Sequence, residues 1–322
     1  MLISWDAEPA MRTAIAEALA GAAIPVYLPD LAPDQRGGAI ETAEAVISFR
    51  PRKEFSEAEL ARLVSVKLLQ TLSAGVNQLP FDQMPPGLRI ACNAGAYAEP
   101  MAEHAMAMAL AAAKALIDRH QKLRRMEWDQ FTPTKQLRGG VCAILGLGGI
   151  GRHIAVLARA FGMRVHAVNR SGQTDAPVDY IGTLDDLESV LRAADVIMVT
   201  IGLNRATLGL LDARRLAWTK DDAILVNVAR GDIIDEHALY AHLKDHPRFI
   251  ACLDAWWIEP IHHDEFRLET QLLELANLIG SPHNSAQAPG ALIEGARRAA
   301  VNVRRLLDGG EPLYVVTAAD RP

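Results

Sequence analysis

Short apolar runs recur along the chain, separated by stretches in which apolar positions return every three or four residues. The runs at 2–5, 24–28, 45–49, 68–72 and 88–92 read as buried strands. Helical spacing falls between them, at 9–20 with a proline near the start and at 56–63 with Ser56 as cap and Glu59 three residues on. A second series of strands is predicted at 141–145, 164–168, 195–200, 223–228, 249–255 and 277–280, with helices at 183–193, 211–218 and 235–244. Such alternation implies parallel sheets covered on both faces, and the six later strands make a complete doubly wound sheet. Glu99-Pro100 opens a long helix to about Arg125 whose Ala and Met positions run all the way round. A helix apolar on every side is buried, at a subunit interface or in an interdomain core. The amphipathic helix at 289–307 follows the completed second sheet and is expected to return to the first domain.

The stretch from Val141 to Ser171 reads VCAILGLGGIGRHIAVLARAFGMRVHAVNRS. Gly146, Gly148 and Gly151 stand as G-x-G-x-x-G between a strand and a helical pattern. In a dinucleotide site the first glycine allows the tight turn, the second admits the pyrophosphate to the backbone, and the third lets helix and strand pack closely. The free N–H groups and the dipole at the helix start favour the anion. The plainer alternative is a glycine-rich turn of another α/β sheet.

With 322 residues there is room for about two domains. Half of the residues are hydrophobic and the net charge is -6, which argues against a nucleic-acid role. No polybasic run suggests a membrane surface, the run 101–116 is too short and too polar at its ends for a span, and the start lacks a leader pattern. Cys92, Cys142 and Cys252 lie far apart in strand-like runs, as expected of reduced thiols in a cytoplasmic protein.

In doubly wound sheets ligands bind beyond the carboxyl ends of the strands. Beyond Val228 come Ala229, Arg230 and Asp232. Beyond Leu253 come Asp254 and Glu259, and beyond Gly280 comes His283. An arginine, carboxylates and a histidine at three successive strand ends can bind an anion and move a proton. Each also has a plain reading: a surface ion pair for Arg230, a turn cap for Asp254, a solvated loop for Glu259, a packed ring for His283.

Six ordered segments spanning most of the chain carry a resemblance. They are LSAGVNQLP from Leu72, YAEPMAEHAMAMAL from Tyr97, LGLGGIG from Leu145, NVARGDIIDEHAL from Asn227, LDAWWIEP from Leu253 and SPHNSA from Ser281. With them the sequence resembles the D-isomer-specific 2-hydroxyacid dehydrogenase family, which includes glyoxylate/hydroxypyruvate reductases, D-lactate dehydrogenases and phosphoglycerate dehydrogenases. The resemblance implies a Rossmann cofactor domain at 97–283 inserted in a discontinuous flavodoxin-like substrate domain at 1–96 and 284–322. It implies Arg230 as the group that holds the substrate carboxylate and polarises the keto group, His283 as acid/base and Glu259 as its partner. It also gives carboxylate-binding N–H groups to Ser73, Ala74, Gly75 and Val76, and places Asp254 near the nicotinamide. Cofactor contacts are expected from Gly146, Gly148, Gly149, Ile150 and Gly151, from Asn169, Arg170 and Ser171, from Thr200, Gly202 and Thr207, and from Val228, Ala229, Asp254 and His283.

The residue types suit reduction of a 2-keto acid. A planar guanidinium can hold a carboxylate and its adjacent carbonyl in a fork. Hydride reaching the carbonyl carbon leaves charge on oxygen, where a protonated His283 would supply the proton, with ionised Glu259 favouring the imidazolium. The two domains would close on the substrate by hinge motion near Tyr97 and Asn284. After the second strand of the cofactor domain the chain reads Val168-Asn169-Arg170-Ser171, with no acid for the ribose hydroxyls of NAD, so NADP is favoured over NAD. The alternative is that Arg170 stacks on adenine. Thr200-Ile201-Gly202 departs from the His-x-Pro common in the family. Trp256 and Trp257 are candidates for a pocket wall or a subunit boundary, and Arg50 and Arg52 for a second anion contact. The tract His262-His263-Asp264-Glu265 lacks metal-ligand spacing, so no metal is expected, and His104 reads as structural. The expectation is thus a cytoplasmic NAD(P)-dependent oxidoreductase, homodimeric through the cofactor domain, with glyoxylate or hydroxypyruvate as first substrate and no nucleic-acid or membrane partner. The rivals are a dinucleotide-sensing, protein-binding module on the same scaffold and a formate- or phosphite-type dehydrogenase.

Overall fold

Every strand is parallel to its neighbours, as the alternation of strand and helix requires, because parallel strands must be joined by crossovers. The computed structural model describes residues 1–321, the side chain of His262 excepted. The chain forms two compact units, Met1–Tyr97 with Gln287–Pro322, and Ala98–Ala286.

In the first unit the strands are β1 (Leu2–Ile3), β2 (Val26–Tyr27), β3 (Ala45–Ser48), β4 (Leu68–Thr71) and β5 (Ile90–Ala91), in the order β2-β1-β3-β4-β5. This is the flavodoxin-like order. Successive side chains point to opposite faces, so each strand feeds two cores. Ile3, Ala45, Ile47 and Leu68 pack with Ile15 and Leu19 of helix Pro9–Leu19 and with Ala296, Ala299 and Val303 of helix Ala291–Leu307. The other face buries Leu2, Val46 and Leu69 with Leu28, Ile40, Leu60 and Leu63. The C-terminal helix therefore belongs to the first sheet, although the second is built between them in sequence.

The second unit holds β6 (Val141–Leu145), β7 (Arg164–Val168), β8 (Tyr180–Gly182), β9 (Val196–Val199), β10 (Ile224–Asn227), β11 (Ile250–Leu253) and β12 (Leu278–Gly280), ordered β12-β11-β10-β9-β6-β7-β8. The topological switch lies between β6 and β9, the place where such sheets bind dinucleotides. Cys142, Ile144, Val196, Met198, Val226 and Cys252 face Ala102, Met106, Ile154 and Ala158 of the helices on one side. Ala143, Leu145, Ile197, Val199, Leu225 and Leu253 face Leu191, Leu239 and Phe249 on the other. Burial pushes the thiols of Cys142 and Cys252 up to about 12, so neither is a nucleophile.

Two expectations need correction. The second sheet has seven strands, because Tyr180–Gly182 pairs with β7. It escapes periodicity by being three residues long, with Tyr180 exposed at the sheet edge. The long helix is two helices, Ala98–Ala113 and Leu116–Arg124, broken where Ala115 turns to φ +49°. The first is largely buried, while the second buries none of its side chains.

Candidate active site

The glycines at the end of β6 have the shapes their positions demand. Gly146 sits at φ +101°, and a Cβ there would lie 2.6 Å from Ile201 Cα. A Cβ on Gly151 would lie 2.3 Å from Gly146 O, so the helix Gly149–Ala160 can approach its strand only because residue 151 has none. Gly148 is different: nothing lies within 4 Å of its Cβ position. The space in front of it is open, as close approach of a pyrophosphate requires. Gly148 caps the helix without a side chain, so its first-turn N–H groups meet no capping side chain. The Thr200 hydroxyl donates to Gly146 O at 2.7 Å and ties the end of β9 to the glycine turn. These residues fit a dinucleotide.

After β7, Asn169 folds its side chain into its own loop. Its Oδ1 accepts from Ser171 N at 3.1 Å and Gly172 N at 2.7 Å, and its Nδ2 donates to Gln173 O at 2.7 Å. The exposed side chains of this turn are those of Arg170, Ser171 and Gln173, and the Ser171 hydroxyl lies 3.3 Å from Asn169 Oδ1 and from Gln173 O. Thr207 is buried, with its hydroxyl donating to Gly202 O at 2.7 Å, so it shapes the 202–207 loop from within.

The three strand ends converge as their parallel register dictates. At the end of β10, the buried Asn227 donates to Arg230 O at 2.8 Å and accepts from Ala229 N at 3.0 Å. That bracket fixes the backbone from which Arg230 projects, and Arg230 Nη1 donates to Ala229 O at 2.7 Å. Burial pushes the guanidinium down from its ordinary value, while Glu259 and Asp232 pull it up; an arginine stays charged under such a shift. Burial also raises the Asp232 carboxyl.

Beyond β11 the chain turns so that Glu259, 5% exposed, points back inward. Its Oε1 accepts from Trp256 N at 2.7 Å and its Oε2 pairs with His283 Nδ1 at 2.7 Å. His283 itself lies at φ +49°, a left-handed conformation that costs a residue with a Cβ about 1–3 kcal/mol and persists where the surroundings enforce it. The surroundings here are Asp254, fully buried at the end of β11. Its Oδ1 accepts from Ser281 Oγ at 2.6 Å and Asn284 N at 3.0 Å, and its Oδ2 from Ser285 N at 3.1 Å. Burial alone would raise the Asp254 carboxyl, but these bonds outweigh it and hold the group below its usual range.

Two tryptophans lock this arrangement. Trp256 Nε1 donates to Ser281 O at 2.8 Å, and Trp257 Nε1 to Ile234 O at 2.7 Å. The backbone of Trp256 lies so close to Gly231 that a Cβ there would sit 2.3 Å from the Trp256 carbonyl carbon. Neither the bracketing by Asn227 nor the dual use of Trp256 was read from the sequence. A polar residue inside the otherwise apolar run 223–228 was the available signal for Asn227.

Ser73, Ala74, Gly75 and Val76 belong to the first unit, after β4, where the Ser73 hydroxyl donates to Gly75 O at 3.0 Å. Arg50 and Arg52 are there too: the Arg50 guanidinium lies 5.0 Å from the Phe49 ring centre, and Arg52 Nε donates to Gln78 O at 3.1 Å. Of the tract after Glu259, the His262 side chain lies outside the described residues, and His263 Nδ1 accepts from Glu259 N at 3.2 Å. Among the described residues no three His, Cys, Asp or Glu side chains group as metal ligands, and no helix is long and apolar enough to cross a membrane.

Residues 106–285, over half of the chain, match the family model described as D-isomer specific 2-hydroxyacid dehydrogenase, NAD binding domain. The chain belongs to the D-isomer-specific 2-hydroxyacid dehydrogenase family. It is 31% identical over 230 residues to the hydroxypyruvate reductase of Thermotoga maritima, covering 70% of this chain and 73% of that one. It is 30% identical over 286 residues to the D-3-phosphoglycerate dehydrogenase of Bacillus subtilis, covering 88% of this chain but only 52% of that longer protein. Among solved structures it resembles one described as a candidate formate dehydrogenase from Pyrobaculum aerophilum, with a TM-score of 0.84, 27% identity and 99% of each chain covered. As a dehydrogenase of this family the protein is an NAD(P)-binding oxidoreductase, and its second unit is the Rossmann domain.

Proposed function

We propose that the protein reduces a small 2-keto acid of the glyoxylate or hydroxypyruvate type to the D-2-hydroxy acid, with NADP as the preferred cofactor. The 2.7 Å contact between Glu259 Oε2 and His283 Nδ1 carries this reading. A carboxylate only accepts, so the shared proton is on Nδ1 and the ring's other nitrogen, Nε2, is left to face a substrate. A reduced nicotinamide supplies hydride to the carbonyl carbon when bound. Arg230 holds the substrate carboxylate and polarises the carbonyl, and His283 Nε2–H delivers the proton to the carbonyl oxygen as it gains charge. Gly146, Gly148, Gly149, Ile150, Gly151, Val228 and Ala229 would hold the dinucleotide. The Ser73–Val76 loop enters only through the resemblance, as N–H donors to the carboxylate.

The preference for NADP rests on the turn after β7. Its asparagine is committed to the turn itself, and among its exposed groups are a guanidinium and a hydroxyl, which suit a 2′-phosphate. The exposed apolar side chains of Leu116, Leu123, Met126, Trp128 and Phe131 support a homodimer through the second unit. The free thiols, two buried at Cys142 and Cys252 and one half-buried at Cys92, suit the cytoplasm.

The deciding experiment is a panel of 2-keto acids, with formate and phosphite in the opposite direction, assayed with both cofactors. Turnover of glyoxylate or hydroxypyruvate with NADPH preferred is the expected result. Turnover confined to formate or phosphite, or nucleotide binding without turnover, replaces the reading with one of its rivals. A strong preference for NADH reverses the cofactor assignment.

A further inference from the structure

The loop that carries His283 is attached to a third element that the proposed chemistry does not use. His104, on helix Ala98–Ala113, places Nε2 2.9 Å from Ser281 Oγ and 3.7 Å from Asp254 Oδ1. Ser281 Oγ lies 2.6 Å from Asp254 Oδ1. A hydroxyl has one proton, and the short bond to a buried carboxylate takes it. The serine oxygen is then an acceptor toward the ring, so His104 must carry its proton on Nε2. Donation runs one way, from His104 to Ser281 to Asp254, and ends on the carboxylate that receives the N–H groups of Asn284 and Ser285. Those residues flank His283 on its C-terminal side, and Ser281, which accepts from His283 N at 3.1 Å, flanks it on the other. The strained backbone of His283 is thus gripped on both sides by groups that the His104 proton orients.

We propose that His104 is a positioning residue for His283: its Nε2–H sets the rotor of the Ser281 hydroxyl, which fixes the Asp254 carboxylate and the loop bearing the acid/base. This rests on the reading of His283 as proton donor. Without the imidazole donor, the Ser281 hydroxyl regains a second rotamer, and Asp254 loses its shortest bond for part of the time. A misplacement of that kind acts on the chemical step more than on binding.

The test uses the full-length protein and its His104→Leu and His104→Gln variants. Glutamine keeps an N–H donor at a similar reach and leucine does not. Nitrogen NMR of the histidine rings in the wild-type protein should show His104 as the Nε2–H tautomer; the Nδ1–H tautomer overturns the inference. The leucine variant should displace the His283 ring resonances and lower kcat roughly ten- to a hundredfold with KM little changed. The glutamine variant should keep the resonances and most of the turnover. Loss in both variants alike would mean a bulk packing role, and unchanged resonances and kcat in the leucine variant would mean no role; either overturns it. Should the leucine variant not fold, Ser281→Ala removes the relay hydroxyl and must give the same displacement. If the wild type reduces no 2-keto acid, the functional reading fails while the tautomer and the His283 resonances still decide this one.

Discussion

Replacing Glu259 by glutamine keeps shape and volume and removes one charge. The carboxylate accepts from Trp256 N and from His283 Nδ1, both at 2.7 Å, and the residue is 5% exposed. An amide has only one oxygen to offer. If it faces Trp256, the NH₂ group faces His283 and forces Nδ1 to be an acceptor, which leaves the ring neutral and unable to deliver a proton. If it faces His283, the buried Trp256 N–H meets another donor, at a cost of about 1–3 kcal/mol. In either case a charge-assisted bond becomes a neutral one, a loss of about 1–2 kcal/mol. The charge loss alone lowers kcat roughly tenfold, and dominance of the first conformer extends the loss toward about 10⁴-fold, the scale seen when an acid/base histidine is held in the wrong tautomer. Initial rates of NADPH oxidation at saturating keto acid, with thermal unfolding run in parallel, measure it. A folded Glu259→Gln protein with kcat within about twofold of wild type refutes the assignment of Glu259 as the histidine's partner.

Arg230→Lys replaces a fork by a point charge, so kcat/KM for the keto acid should drop by roughly 1.5–3 kcal/mol, about ten- to a hundredfold, while nucleotide affinity measured by fluorescence stays near wild type. Acid should weaken the second unit through His242, which packs edge-on to Phe249 and stacks 4.1 Å from His246. Burial, with help from His246, pushes His242 down to about 4. Between the ordinary value of about 6.5 and that value the unfolded chain takes up a proton the folded one refuses, so stability falls as pH falls across the window, by on the order of 3 kcal/mol. Urea midpoints of wild type and His242→Gln at neutral pH and near pH 4.5 should converge on acidification; parallel curves would remove His242 as the cause. A Trp128→Ser, Phe131→Ser double variant should shift sedimentation from dimer to monomer, and an unchanged dimer would place the interface elsewhere.

The legible parts were those whose chemistry is local. The strands β6 and β10 are apolar runs long enough to be read directly, and the glycine turn is recognisable because backbone sterics admit no other residue at 146 and 151. Arg230, Glu259 and His283 could be singled out as candidates because a parallel sheet sends all its carboxyl ends to one edge. β8 was not legible, since a short edge strand is made by pairing to β7 and not by its own pattern. Nor was the break at Ala115: alanine is a strong helix former, and the left-handed turn there is imposed from outside the local sequence. The relay through His104 was hidden for the same reason, its members being 177 residues apart. At Thr207 and Asn169 the side chain closes its own loop, a use that the residue type does not disclose.

Gly231 and Trp256 touch through their backbones, with no room for a single methyl between them. The guanidinium and the glutamate therefore ride on one rigid body, and neither can be shifted without dragging the other. Divergence toward new acids is barred from this seam and must be sought in side chains elsewhere. Laboratory evolution of such an enzyme would do well to leave positions 231 and 256 alone and randomise side chains away from this seam.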